Sequence, residues 1–99
     1  MRLTQEQRSA ILTTVRAVVG QAASVRLFGS RIDDLRRGGD IDILVVCQER
    51  VEQSALTSAR IGAGLQQALG ERRIDVVIMA PNIRKQPIHR VALETGIEL

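Results

Sequence analysis

Two aspartates, Asp40 and Asp42, stand one residue apart at the start of the apolar run of residues 43–46. Because a β-strand sends alternate side chains to opposite faces, both carboxylates are expected to project from the same face. Two unpaired carboxylates this close repel each other, and burying them is costly. A cation is therefore expected between them, and hard oxygen ligands suit Mg²⁺ or Mn²⁺.

The dipeptide Gly29-Ser30 ends a short strand-like stretch, residues 25–28, ahead of the two aspartates. A glycine at this place permits a sharp turn. Such a turn offers free backbone N–H groups and a hydroxyl, which suit an anion such as phosphate. A phosphate site beside a metal-binding pair indicates nucleotide chemistry.

A third carboxylate, Asp75, lies within the apolar strand-like segment of residues 74–79. An unpaired carboxylate inside such a strand would be expensive to bury. Two interpretations follow from the residues alone. Asp75 either joins the two earlier aspartates in one site, or it forms an ion pair with Arg72 or Arg73.

The ordered combination of Gly29-Ser30, Asp40-Ile41-Asp42 and Asp75 resembles the signature of the nucleotidyltransferases of the DNA polymerase β superfamily. The resemblance covers roughly residues 25–80, including the apolar residues beside each motif. The small size is similar to that of the minimal nucleotidyltransferase branch, whose members often act as antitoxins to HEPN-type toxins.

The resemblance implies a site with two Mg²⁺ ions, or Mn²⁺ in their place. Asp40 and Asp42 would bridge the two ions, and Asp75 would bind the catalytic one and take the proton from the attacking hydroxyl. The substrate implied is ATP, with AMP passing to a hydroxyl of a partner protein such as a HEPN toxin. That assembly would be a hetero-oligomer, and a homo-oligomer is the other possibility.

The resemblance also implies phosphate-binding roles for Gly29, Ser30 and Arg31. One departure from the family pattern follows at once, because Asp33 and Asp34 stand where many minimal members have a basic residue and a glycine. Two acids in this loop would oppose triphosphate binding unless they point outward. The departure bears on nucleotide affinity more than on the fold.

Composition is typical of one globular domain, residues 1–99, with 44% hydrophobic and 25% charged residues. The net charge of +3 is dispersed along the chain, and 13 of the 14 basic residues are arginine. Phe28 is the single aromatic residue. Aromatic platforms for stacking bases are therefore absent, and nucleic acid is not expected as the direct substrate.

The sequence is not expected to contain a signal peptide or a membrane-spanning segment. The single Cys47 cannot form an internal disulfide, and no apolar run approaches the ~18 residues of a membrane span. The first residues lack the apolar core of a signal peptide. A cytoplasmic location with no membrane contact is the expectation. The lone His89 is expected to face solvent or a partner.

Local patterns predict alternating helices and strands. Thr4 and Gln7 form a capping box for a helix that ends near Gly20. Strands are expected at 25–28, 40–46 and 74–79, and helices at 49–69 and from Pro87 onward, with an extended tail at 97–99. In the second helix Ile61, Leu65, Ala68 and Leu69 should face inward, and in the third Ile88, Val91 and Ala92.

The alternation predicts an α/β (α+β) fold, a small mixed sheet with helices mainly on one face, as in the polymerase β-like nucleotidyltransferases. Metal-dependent nucleotidyl transfer is the leading functional hypothesis. The alternative is a nucleotidyltransferase fold without turnover that acts as a stoichiometric antitoxin. A metal-dependent sugar transferase is a third and weaker hypothesis, because such enzymes need a longer chain.

Overall fold

The computed structural model describes residues 3–29 and 41–99. Ser30, Arg31 and Asp40, three of the predicted site residues, lie outside the described residues, as do Asp33 and Asp34. Along the chain the elements are α1 (Gln5–Val19), β1 (Ser24–Phe28), β2 (Ile41–Val46), α2 (Ser54–Leu69), β3 (Ile74–Met79), α3 (Pro87–Thr95) and β4 (Ile97–Glu98).

The strands of the described ranges form one mixed sheet in the order β3-β2-β1-β4. Strands β2 and β3 are parallel, whereas β1 is antiparallel to both β2 and β4. Helices α1 and α2 cover one face, and α3 covers part of the other. The predicted α+β fold, with its small mixed sheet and its helices mainly on one face, is confirmed.

The central strand β2 is buried on both faces, which explains its nearly continuous apolar sequence. Ile43 and Val45 belong to the main core with α1 and α2. Leu44 points the other way and packs with Phe28 and Ala92 under α3. Because successive strand residues alternate between faces, Asp42 shares the α3 face with Leu44.

The capping box of α1 is confirmed. The Thr4 hydroxyl accepts a hydrogen bond from the backbone N–H of Gln7, and the Gln7 side chain accepts one from the N–H of Thr4, both at 3.0 Å. Gly20 caps the helix after Val19, and its φ of +104° disfavours a residue with a Cβ. Residues Ile11 and Val15 are its fully buried positions.

Helix α2 begins at Ser54, five residues after the predicted start at residue 49. The reason is a long-range contact. The side chain of Asn82 donates to the carbonyl of Val51 at 2.8 Å and accepts from its N–H at 2.9 Å, which holds this segment outside the helix. The predicted inward position of Ala68 is wrong, because this residue is exposed.

Helix α3 begins with Pro87 as predicted, but it is rotated relative to the prediction. Ile88 and Val91 are 39% and 46% exposed, whereas His89 and Ala92 are buried. The Nδ1 of His89 accepts from the N–H of Gln86 at 2.9 Å, and its Nε2 lies 2.9 Å from the carbonyl oxygen of Ile78, to which it donates. The expectation that His89 faces solvent or a partner is therefore wrong.

The close approach of α1 and α2 depends on a small residue. A Cβ placed on Gly64 would lie 2.7 Å from the Cγ2 of Thr14, whereas one on Gly62 would meet nothing within 4 Å. Glycine at position 64 therefore allows the two helices to pack closely. No helix within residues 3–29 and 41–99 has the length and apolar character that crossing a membrane requires.

Candidate functional site

The structure brings two of the three predicted metal ligands together. Asp42 of β2 and Asp75 of β3 are direct register partners on neighbouring parallel strands. Neighbouring strands lie about 4.8 Å apart, and partners in register project from the same face. The two carboxylates are therefore side by side on the α3 face of the sheet.

Both carboxylates lie where apolar packing gives way to solvent. The next pair in register on this face, Leu44 and Val77, already belongs to the apolar cluster under α3. Asp42 is partly buried, and the side chain of Asp75 is 49% exposed. One side of the pair thus adjoins apolar side chains and the other adjoins water. A charged ligand can therefore reach the two carboxylates from solvent.

Contact with Asp42 explains why position 29 requires a glycine. It follows Phe28, the β1 register partner of Asp42, and has a φ of +105°. A Cβ added at Gly29 would overlap the Oδ2 of Asp42 and lie 3.3 Å from its Cγ. The carboxylate of Asp42 therefore rests against the backbone of the turn, a position that only a glycine leaves open.

Asp75 also has the basic partner that one of the two interpretations predicted. The Nε of Arg73 lies 3.3 Å from the Oδ2 of Asp75, and their side chains are 71% and 49% exposed. The carbonyl of Arg73 accepts a hydrogen bond of 2.9 Å from the N–H of Ile41. This bond fixes the backbone of Arg73 beside the start of β2, next to Asp42.

The neighbouring Arg72 differs from Arg73. Its Nε and Nη1 are buried and have no hydrogen-bond partner among the described residues. Its carbonyl accepts from the side chain of Gln66 at 3.3 Å, which ties it to α2. The ion pair at Asp75 is therefore formed by Arg73, a distinction that two adjacent arginines in a sequence do not reveal.

The donor chemistry of the pair suits a divalent cation. Carboxylate oxygens are the ligands that Mg²⁺ and Mn²⁺ prefer, and Mg²⁺ commonly takes only one or two of them along with substrate phosphates. Within the described ranges, no group of three or more His, Cys, Asp or Glu residues could hold a metal ion. Asp42 and Asp75 instead supply two carboxylates, a number that fits Mg²⁺ or Mn²⁺ bound together with substrate phosphates.

Cys47 and the cleft beside it lie away from the two carboxylates. Cys47 follows the opposite end of β2 and is buried, and burial raises the pKa of its thiol, so the neutral form is favoured. A cleft of about 400 Å³ at that end is lined by Cys47, Arg50, Val51 and residues near Gly20, and it does not include the carboxylates. This cleft is separate from the candidate site.

A comparison with protein-family models identifies the family of this chain. The model described as a nucleotidyltransferase domain matches residues 9–98. The matched range covers nearly the whole chain and includes Gly29, Asp42 and Asp75. The comparison with curated proteins finds no relative that matches the chain.

Proposed function

Because the chain belongs to the nucleotidyltransferase domain family, we propose that it transfers AMP from ATP to a hydroxyl group of a partner protein. Membership of the family establishes nucleotidyl transfer and a nucleoside triphosphate substrate in general terms, and the choice of ATP and of a protein acceptor is the proposal. The observation that carries it is the in-register placement of Asp42 and Asp75 beside Gly29.

In the proposed step the acceptor oxygen attacks the α-phosphorus of ATP. A bond forms between that oxygen and the α-phosphorus, and the bond from the α-phosphorus to the bridging oxygen of the β-phosphate breaks. Pyrophosphate leaves with the electron pair. In this proposal Asp75 accepts the proton of the hydroxyl, as a general base.

The predicted site residues also have binding roles in this proposal. Asp40, Asp42 and Asp75 would hold the two divalent cations, and Gly29, Ser30 and Arg31 would bind the triphosphate. When bound, Mg²⁺ or Mn²⁺ stabilises the charge that develops on the attacking and leaving oxygens. The chain itself contributes placement of the reactants, because alignment of the hydroxyl with the α-phosphorus removes much of the entropic barrier.

An apolar surface on α3 supports the proposal of a protein acceptor. Ile88 and Val91 of α3 are exposed apolar side chains, and α3 covers the sheet face that carries the carboxylates. A HEPN-type toxin remains the specific partner we propose, in a hetero-oligomer. The single domain over residues 1–99 and the cytoplasmic location stay predictions.

The proposal is tested by transfer of label from [α-³²P]ATP and from [γ-³²P]ATP, with MgCl₂, to a HEPN-type protein co-expressed from a neighbouring reading frame. We expect α-label on the acceptor and γ-label in pyrophosphate. Asp42→Asn and Asp75→Asn should each abolish transfer. Glu52→Gln removes an exposed acid that lines the separate cleft and should leave transfer unchanged.

The alternative of a binding module without turnover makes the opposite prediction. In that case Asp42→Asn would neutralise a toxic partner as well as the unsubstituted chain does, and no label would reach the partner. The family match supports nucleotidyl transfer and does not favour this alternative. Label on the partner that survives Asp42→Asn would contradict both the mechanism and the assignment of the site.

A further inference from the structure

Arg73 occupies a place that the proposed function leaves unexplained. Its Nε lies 3.3 Å from the Oδ2 of Asp75, the carboxylate proposed to bind a cation and a proton. The two residues are two positions apart, the spacing that puts side chains on the same face of an extended chain. The positively charged guanidinium of Arg73 therefore lies next to a carboxylate that is also proposed to bind a metal cation.

A purely stabilising role does not account for this pair. The side chain of Arg73 is largely exposed and that of Asp75 is about half exposed, and such solvent-screened ion pairs contribute little to stability. The backbone of Arg73, in contrast, is held by the hydrogen bond from Ile41 to its carbonyl. The backbone of Arg73 is therefore held in place beside Asp42, whereas its exposed guanidinium can change partner without disturbing the core.

We propose that Arg73 is a phosphate-binding residue that exchanges partners during substrate binding. It pairs with Asp75 when the site is empty of cation, and it pairs with the β- or γ-phosphate of the nucleotide when Asp75 serves as a metal ligand. A guanidinium suits this role because its planar N–H groups match phosphate oxygens as well as carboxylate oxygens. This inference rests on the proposed function.

The exchange has two opposite consequences. Without nucleotide, Arg73 competes with a divalent cation for the oxygens of Asp75, so removing its charge should strengthen metal binding. With nucleotide, Arg73 supplies a charge-assisted hydrogen bond to phosphate, so removing its charge should weaken nucleotide binding. A merely structural role would not move the two affinities in opposite directions.

The chain offers a matched control. The Nε of Arg50 lies 3.1 Å from the Oε1 of Glu52, and these side chains are 66% and 73% exposed. Both residues line the separate cleft, away from Asp42 and Asp75. Arg50→Gln therefore removes the same charge, from a similarly exposed arginine, without touching the site.

The test compares the unsubstituted chain with Arg73→Gln, Arg73→Lys and Arg50→Gln. Binding of Mn²⁺ alone is followed by electron paramagnetic resonance, and binding of α,β-methylene-ATP with Mg²⁺ by calorimetry. For Arg73→Gln we expect Mn²⁺ affinity to rise about twofold to fivefold, the size of an exposed ion pair. Nucleotide affinity should fall by at least about fivefold. Arg73→Lys should restore both in part, and Arg50→Gln should change neither.

The inference is overturned if Arg73→Gln leaves both affinities unchanged or moves them in the same direction. A urea titration of each variant confirms that it is folded. Failure of the proposed function has a different signature. In that case the unsubstituted chain binds no Mn²⁺, or Asp42→Asn binds it equally well, whatever Arg73→Gln does.

Discussion

Gly29→Ala is the substitution that most clearly separates backbone strain from damage to the site. Gly29 and Gly20 have φ values of +105° and +104°, so a Cβ is disfavoured equally by this angle at both. Their surroundings differ. A Cβ at Gly20 would meet nothing within 4 Å, whereas one at Gly29 would overlap the carboxylate of Asp42.

The magnitudes follow from this difference. A side chain held at a positive φ costs about 1–3 kcal/mol, so Gly20→Ala should lower the free energy of unfolding by that amount. Gly29→Ala should cost about 1–3 kcal/mol more, because the overlap forces Asp42 into another position. Loss of a residue that positions a metal ligand typically weakens metal affinity about 10–100-fold. We expect that loss in Gly29→Ala and none in Gly20→Ala.

The assay combines urea denaturation with Mn²⁺ titration of the two variants. A third comparison introduces Gly29→Ala into an Asp42→Ala background, where the overlapping carboxylate is gone. There the cost of Gly29→Ala should fall to that of Gly20→Ala. Equal Mn²⁺ binding by Gly29→Ala and the unsubstituted chain would refute the claim that this glycine positions Asp42.

Three further predictions concern packing and titration. His89→Ala should lower the free energy of unfolding by about 2–4 kcal/mol, measured by urea denaturation, because it removes the His89 partner of the buried carbonyl of Ile78 and of the half-buried N–H of Gln86. Gly64→Val should cost about 1–3 kcal/mol through its overlap with Thr14, whereas Gly62→Ala, which meets open space, should be neutral or stabilising in the same assay. Burial raises the pKa of Cys47 above its ordinary value of 9.0, so iodoacetamide should label the native protein more slowly than the urea-unfolded one at pH 8. The folded state holds this proton more tightly, so stability should fall as the pH rises above 9.0, and Cys47→Ala should remove that decline.

The elements that local patterns determine could be predicted from the sequence. The capping box at Thr4, the apolar strands and Pro87 at the start of α3 each act within a few residues. The start of α2 and the rotation of α3 could not be predicted. They depend on contacts between distant segments, from Asn82 to Val51 and from His89 to Ile78.

The candidate site shows the same division. The placement of Asp42 and Asp75 on one face agrees with the sequence-based expectation, because alternation along a strand fixes the face once the register is known. The choice of Arg73 over Arg72 as the partner of Asp75 required the structure. The roles of Ser30, Arg31 and Asp40 stay predictions, since these residues lie outside the described part of the chain.

The central claim is that Asp42 and Asp75 share a divalent cation in a nucleotidyl-transfer site. The most direct measurement is manganese anomalous scattering from crystals grown with MnCl₂ and α,β-methylene-ATP. We predict an anomalous peak at bonding distance from the carboxylate oxygens of both Asp42 and Asp75, with nucleotide phosphate oxygens as further ligands. Bound nucleotide and manganese that contact neither aspartate would contradict the account.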